Sequence, residues 1–377
     1  MQSVQAKRKS ENNWEFLTEQ KKLKAPLVLV FGCRLLFENC NIHEEVSALF
    51  PDGHIVYGST AGEIIGPDVY DQSITLTAIE FEKSSFSIAC DNILAHNQDI
   101  SALGKALVST LPKEHLKHIL LISDGSLLNG SELINAIETN IDTSVGLSGG
   151  LCGDDSRFEK TLSSYNEAPK SGEVIAIGFY GETLEITAAN YGGWNAFGSE
   201  RTVTKSHKNV LCEIDGKPAL ELYKMYLGDK AKDLPEAALL FPLKVWANKN
   251  EQPIVRTILN IDNDKQCMIL AGDVPQGSKV QLMMATVDDI VEGAAEAADL
   301  ASKGRKNPAD LAILVSCIGR KLVMHQRTEE EIEEVIYKIG EQSVVTGFYS
   351  YGEIAPFPGE HTCQLHNQTM TLTLFSE

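Results

Sequence analysis

The sequence contains no apolar run approaching the roughly 18 residues that a membrane-spanning helix needs. Basic residues are scarce: 33 Lys and Arg stand against 52 Asp and Glu, a formal net charge of −19. That field repels a phosphate backbone and an anionic membrane surface, so neither nucleic acid nor membrane is expected as a partner. It names no positive partner, because solubility alone accounts for it. The basic stretch Lys7-Arg8-Lys9 runs into polar Ser10-Glu11-Asn12-Asn13 instead of a signal-peptide core, so a cytoplasmic location is expected. The eight cysteines are scattered and include no Cys-x-x-Cys pair. They read as reduced, mostly buried thiols and not as a disulfide framework or zinc site. There is no P-loop and no dinucleotide fingerprint after a first strand.

What is present is the composition of an ordinary globular protein, 43% hydrophobic and 23% charged, and a length of 377 residues that suggests two domains. Disorder is expected, if anywhere, only in the first dozen or so residues. One pattern recurs three times. Leu27 to Cys33 reads as a buried strand after Pro26, followed by a helix over Ile42 to Leu49 and a strand over His54 to Tyr57. The turn Gly62-Glu63 comes next, and an alternating strand from Ile74 to Phe81 closes the block. A second block runs through His118 to Ser123, the helix Ser131 to Ile137, the strand from Ser144 into Gly149-Gly150, the turn Gly153-Asp154 and the strand Glu173 to Phe179. The third has Leu311 to Cys317, a helix over Thr328 to Ile339 with capping-box spacing at Thr328-x-x-Glu331, Val344 to Phe348, the turn Gly352-Glu353 and Thr369 to Leu374. Two blocks are preceded by a further strand and helix, Phe86 to Ala89 with Asp99 to Leu111, and Val280 to Thr286 with Asp288 to Ser302. Alternation in the closing strands predicts antiparallel or mixed sheets with one covered face. The fold class is therefore α+β with packed helices and an internally repeated strand-helix-strand-strand unit.

Glycine lets a ligand approach the main chain, so the three turns could bring backbone N–H groups and the carboxylates of Glu63, Asp154 and Glu353 to a common rim. The plainer alternative is tight turns with solvated acids. Tyr191-Gly-Gly-Trp-Asn-Ala-Phe-Gly198, leading to Arg201, is the densest aromatic and glycine cluster, and offers either a pocket wall or a β-corner in which Trp194 plugs a domain interface. Asp215-Gly216 has type I′ hairpin chemistry, and Pro218 starts a helix over Ala219 to Leu227 that ends at Gly228.

Ser59-Thr-Ala-Gly-Glu-Ile64, Gly146-Leu-Ser-Gly-Gly-Leu-Cys-Gly-Asp154, Gly193 to Val203, Asp215-Gly-Lys-Pro-Ala219, Ser316-Cys-x-Gly-Arg320, Gly347-Phe-Tyr-Ser-Tyr-Gly-Glu-Ile354 and Leu365-His-Asn-Gln-Thr369 together resemble the FIST family of sensory domains. The resemblance implies an N-terminal extension and helix over residues 1–25, a FIST N-type domain over 26–200 and a FIST C-type domain over 201–377. It implies a small-molecule ligand, amino acids being one suggestion. Output would go through a separate partner, a histidine kinase or a cyclic-dinucleotide signalling enzyme, since the last motif ends close to Glu377. Stand-alone members include haem-binding nitric-oxide sensors that act on a histidine kinase and so on biofilm behaviour. Haem b is thus an expected cofactor. The ligand-binding set expected from the turns and the aromatic cluster is Gly62, Glu63, Gly149, Gly150, Asp154, Trp194, Phe197, Arg201, Tyr351, Gly352 and Glu353.

Haem needs an axial ligand and an apolar pocket. His207 and His325 are the candidates, each also readable as a surface histidine. His115 with His118 lacks a third metal donor nearby in sequence, and His361-x-Cys363-x-x-His366 reads as a hairpin with incidental donors. Ser148 and Cys152 stand beside glycines but have no base visible in sequence, so catalysis is not expected. A ligand-free scaffold is the remaining alternative.

Overall fold

The computed structural model describes residues 1–9, 13–246, 252–357, 359–360 and 362–377. Leu27–Gly32 is six consecutive buried residues with side chains alternating between two hydrophobic layers. Leu27, Leu29 and Phe31 face a central core, while Val28 and Val30 meet Ile42 and Val46 of the helix Ile42–Leu49. The parallel strand His54–Ser59 lies on one side of it and the antiparallel strand Ser73–Glu80 on the other. The second unit repeats this arrangement with Leu116–Ser123, Gly146–Leu151 and Glu173–Tyr180, and the third with Leu311–Cys317, Val344–Ser350 and Met370–Ser376. The central core is built from all three: Leu29 and Phe31, Leu120 and Ile122, Ile313 and Val315. Helices Gly130–Glu138 and Glu329–Ile339 cover the outer faces of the second and third sheets. The fold is α+β, with mixed sheets, as the repeated pattern predicts.

The connection between units is one no local pattern announces. After its second strand each unit sends a short strand into a neighbour's sheet. Glu63–Ile65 pairs antiparallel with Val344–Ser350 of the third unit, Gly352–Pro356 of the third with Gly146–Leu151 of the second, and Ser163–Tyr165 of the second with His54–Ser59 of the first. Three exchanges close a cycle. Beyond its closing strand each sheet adds an outer strand, Gln2–Lys9, Ser85–Asn92 and Glu185–Tyr191, the first of which carries the two-residue strand Glu15–Phe16 on its far side.

Several sequence expectations are corrected. The N-terminal segment forms no helix: Val4 and Ala6, two apart, are buried on the strand Gln2–Lys9. Segment Val280 to Thr286 is not the third unit's leading strand. That role belongs to Glu185–Tyr191, and an eight-stranded sheet between Asn195 and Met284 interrupts the unit before the helix Val287–Ser302. The closing strands are covered on both faces. Their threonines serve as buried cross-sheet donors and acceptors: Thr77 Oγ1 lies 3.0 Å from Thr346 Oγ1, and Thr373 Oγ1 lies 2.7 Å from Ser148 Oγ. Thr328 caps nothing, because its own backbone is already helical and its hydroxyl donates to the His325 carbonyl. Glu331 instead turns into the core, where Arg320 donates to it from Nε and Nη2 at 2.9 and 2.7 Å and Tyr349 donates at 2.6 Å. Cys212 and Cys267 form a disulfide, because adjacent antiparallel strands of the inserted sheet set them opposite each other. The Asp215-Gly216 turn has both residues at positive φ, 50° and 72°, and the helix Ala219–Leu227 follows as expected.

Candidate functional site

The three Gly-acid turns do come together, at the points where strands are exchanged, and there the main chain is stitched to itself. Ala61 N–H donates to Tyr349 O at 2.8 Å, Gly153 N–H to Ser59 O at 2.8 Å and Tyr351 N–H to Leu151 O at 3.2 Å. The carboxylates point inward. Glu63 accepts from Thr60 Oγ1 at 2.6 Å and Ser73 Oγ at 2.5 Å, and Glu353 from Ser350 Oγ at 2.6 Å and Thr369 Oγ1 at 3.1 Å. Burial pushes each of these two carboxyls up to about 8 against the opposing pull of its hydrogen bonds. Asp154 Oδ1 lies 2.9 Å from both Arg34 Nε and Arg157 Nε. Gly62 lies beside Lys321, whose Nζ donates to Ala61 O at 2.7 Å. Gly149, at φ 139°, passes so close to Leu121 that a Cβ would sit 2.0 Å from its carbonyl oxygen, while Gly150 faces Val315 and Gly352 faces Leu365.

The aromatic cluster divides. Trp194 packs with Met283, Ile290 and Met324 where the inserted sheet leaves the core, its Nε1 donating to Gln368 O at 3.0 Å. Phe197 and Arg201 line an apolar recess of only about 20 Å³, whose rim is held by Arg201 with Asp215 at 3.1 Å and with the Tyr226 hydroxyl at 2.9 Å. That is room for about one water. His207 and His325 are exposed, and neither lines the apolar recess beside Arg201. His118 and His366 are buried, and burial holds them down at about 3 and 4 respectively; His118 Nε2 lies 2.7 Å from Ser148 Oγ. His361 lies outside the described residues. Among the described residues no group of three His, Cys, Asp or Glu could hold a metal ion. Cys152 is fully buried, and burial raises its thiol far above the ordinary range.

A more open arrangement lies between the three-sheet core and the inserted sheet. A cleft of ≈ 540 Å³ runs between the loop Gly125 to Gly130, Leu151 and Tyr351 on the core side and Lys208, Asn209 and Ala271-Gly272 on the other. Tyr351 stacks on Phe158 with ring centroids 4.5 Å apart, and its hydroxyl donates to Asp155 O at 2.9 Å. A smaller cavity of ≈ 190 Å³ adjoins the first turn of the helix Gly130–Glu138, between Ser131 and Gln364 of the core and Trp246, Ile254, Arg256 and Asp273 of the insert. Asn129 caps that helix, accepting from Ser131 N and Glu132 N, and its Nδ2 donates to Asp273 Oδ1 across the junction at 3.1 Å. Arg256 Nη1 crosses the same junction to Leu365 O at 2.6 Å. Reading the sequence did not single out Arg256, Ser131 or Asp273. The available signal was an arginine ending the short apolar strand Ile254–Arg256, which alternation alone does not flag.

The FIST N domain model matches residues 26–217, and the FIST C domain model matches residues 219–356. The chain belongs to the FIST family. FIST domains are sensory domains of signal transduction, in families that are sensory and not catalytic. This FIST chain is also 23% identical over 352 residues to an uncharacterized protein of Methanocaldococcus jannaschii, a match covering 80% of this chain and 64% of that protein. The chain thus spans somewhat under two thirds of that relative's length. No helix among the described residues is long and apolar enough to cross a membrane.

Proposed function

We propose that this FIST protein senses a small molecule bound at the junction between its three-sheet core and its inserted sheet. The signal then passes to a separate partner, a histidine kinase or a cyclic-dinucleotide signalling enzyme. The observation that carries the reading is the pair of cavities at that junction, the smaller of them lined by the buried, cationic Arg256. Ligand sites favour such boundaries because closure there changes the relation of two bodies that each keep their own core. The insert has its own, around Leu211, Tyr223, Met268 and Leu282. The turn carboxylates proposed from sequence as ligand contacts support this reading less directly. Their partners are within the chain, so they hold the scaffold against which the insert moves.

Haem-based nitric-oxide sensing carries no weight in this reading. Both axial candidates are exposed and neither faces an apolar cavity, so the residues present do not cradle a porphyrin. Titration with haem checks this directly, with no Soret shift expected. The sensor reading is tested by a thermal-shift screen with organic acids, amino acids and nucleotides, each hit then mapped by amide hydrogen exchange. Protection is expected in residues 125–131 and 254–273. Protection confined elsewhere, or no hit in any class, overturns the reading and favours a ligand-free scaffold.

A further inference from the structure

We propose that the smaller junction cavity is a carboxylate site, with Arg256 and Ser131 as its donors, and that the sensed ligand is a small monocarboxylate with an apolar body. This deepens the sensor reading above and rests on it.

The two most deeply buried arginines among the described residues differ in one respect. Arg320, 0% exposed, has a two-point carboxylate partner in Glu331. Arg256, 3% exposed, has no Asp or Glu oxygen within 4 Å among the described residues. Its Nε donates to Asp273 O at 3.2 Å and its Nη1 to Leu365 O at 2.6 Å, which leaves Nη2 without an acceptor. The nearest carboxylate, Asp273, is occupied by Asn129. Burial lowers the Arg256 guanidinium to about 10, so it remains charged at neutral pH. A buried cation without a counter-ion is costly unless something completes it.

The surroundings suit a carboxylate. Gly272 lets the main chain pack against the guanidinium and hold it in place, since a Cβ there would sit 2.8 Å from Arg256 Cζ. Ser131 Oγ is buried and unpartnered, on the first turn of the nine-residue helix Gly130–Glu138, where the helix dipole also favours an anion. Opposite them Trp246 and Ile254 offer an apolar wall, and Gln364 an amide. A volume of ≈ 190 Å³ takes a small organic acid, not a nucleotide. The Asp273 carboxylate on the same wall disfavours a second negative charge, so monocarboxylates are selected over dicarboxylates and phosphate.

The test is isothermal titration of the full chain with 4-methylpentanoate and phenylacetate, with their α-amino counterparts leucine and phenylalanine, and with succinate and inorganic phosphate as controls. Binding by a simple monocarboxylate or by its amino counterpart is expected, with controls silent. Tighter binding of the amino acid assigns its ammonium to Asp273, and tighter binding of the simple acid leaves Asp273 as a repelling wall. Loss of the charge-assisted contact from Nη2 in Arg256→Met should weaken binding about 100-fold. Because that variant also loses two backbone contacts, Ser131→Ala and Trp246→Ala accompany it, each expected to weaken binding about fivefold with an unchanged melting temperature. Preference for succinate or phosphate, or affinities indifferent to Ser131→Ala and Trp246→Ala, overturns the carboxylate assignment. If none of these acids binds while another class of compound protects the junction from exchange, this inference fails and the sensor reading stands. If nothing protects the junction, both fail.

Discussion

The three-sheet core and the inserted sheet handle their buried ionisable groups in opposite ways. In the core, Glu331 meets Arg320, Glu63 and Glu353 meet hydroxyls, and the exchanged turns satisfy one another's amides. In the insert, buried Arg256 has only backbone partners among the described residues. Satisfied networks rigidify, whereas incompletely satisfied ones leave interaction free energy for something else to supply. On the sensor reading proposed above, the core is the scaffold and the insert the responding part.

The sharpest way to break this contrast is to unpair the core arginine. Glu331→Gln leaves Arg320 buried and uncompensated, and a loss of about 3–5 kcal/mol in chemical denaturation is expected. Reducing the Cys212–Cys267 disulfide should act on the other region. The bond spans 55 residues of the insert alone, so about 2–4 kcal/mol should be lost from a transition of the insert while core amides keep their exchange protection. A single cooperative loss across both regions would dissolve the distinction.

Acidity sharpens the comparison from the core side. Glu63 and Glu353 titrate near 8 when folded and near 4.5 when unfolded. The unfolded chain therefore binds fewer protons between those values, and stability falls as pH rises through that window. The slope should be about 1.4 kcal/mol per pH unit for each carboxyl. Their stabilising contribution is full below 4.5 and lost above 8, and the double variant Glu63→Gln with Glu353→Gln should flatten the profile of melting temperature between pH 5 and 8. The smallest effect belongs at the seam. Asn129→Ala removes a helix cap and the bond to Asp273, for about 1 kcal/mol, with increased exchange confined to the first turn of that helix.

The three repeated units were legible in the sequence because strand, helix and turn signals are local. Leu27 to Cys33, Leu311 to Cys317 and the helix after Thr328 emerge close to where periodicity puts them. The exchange of Glu63–Ile65 into the third sheet was not legible, since a three-residue strand carries no record of a partner from another unit. The interruption of the third unit misled for a related reason. Val280 to Thr286 has strand character and precedes a helix, but its partners are Leu243–Trp246 and Asn195–His207. Glu331 looked like a cap because its spacing fits one, and only tertiary packing turns it inward. Of the residues chosen as ligand contacts, Tyr351 lines the larger cleft, while Arg256 became visible only once burial and missing partners could be read together.

The cyclic exchange of strands also sets a timetable for synthesis. Glu63–Ile65 leaves the ribosome early, yet its partner Val344–Ser350 follows about 280 residues later. At ordinary elongation rates that is a wait of roughly 15–60 s. Until then the third sheet does not exist, and the second lacks the edge that Gly352–Pro356 will cover. A nascent chain therefore carries open sheet edges until Gly352–Pro356 and Met370–Ser376 have emerged. A premature stop anywhere before Gly352 leaves edges able to pair with another chain, so truncated products should depend on chaperones far more than the finished protein does.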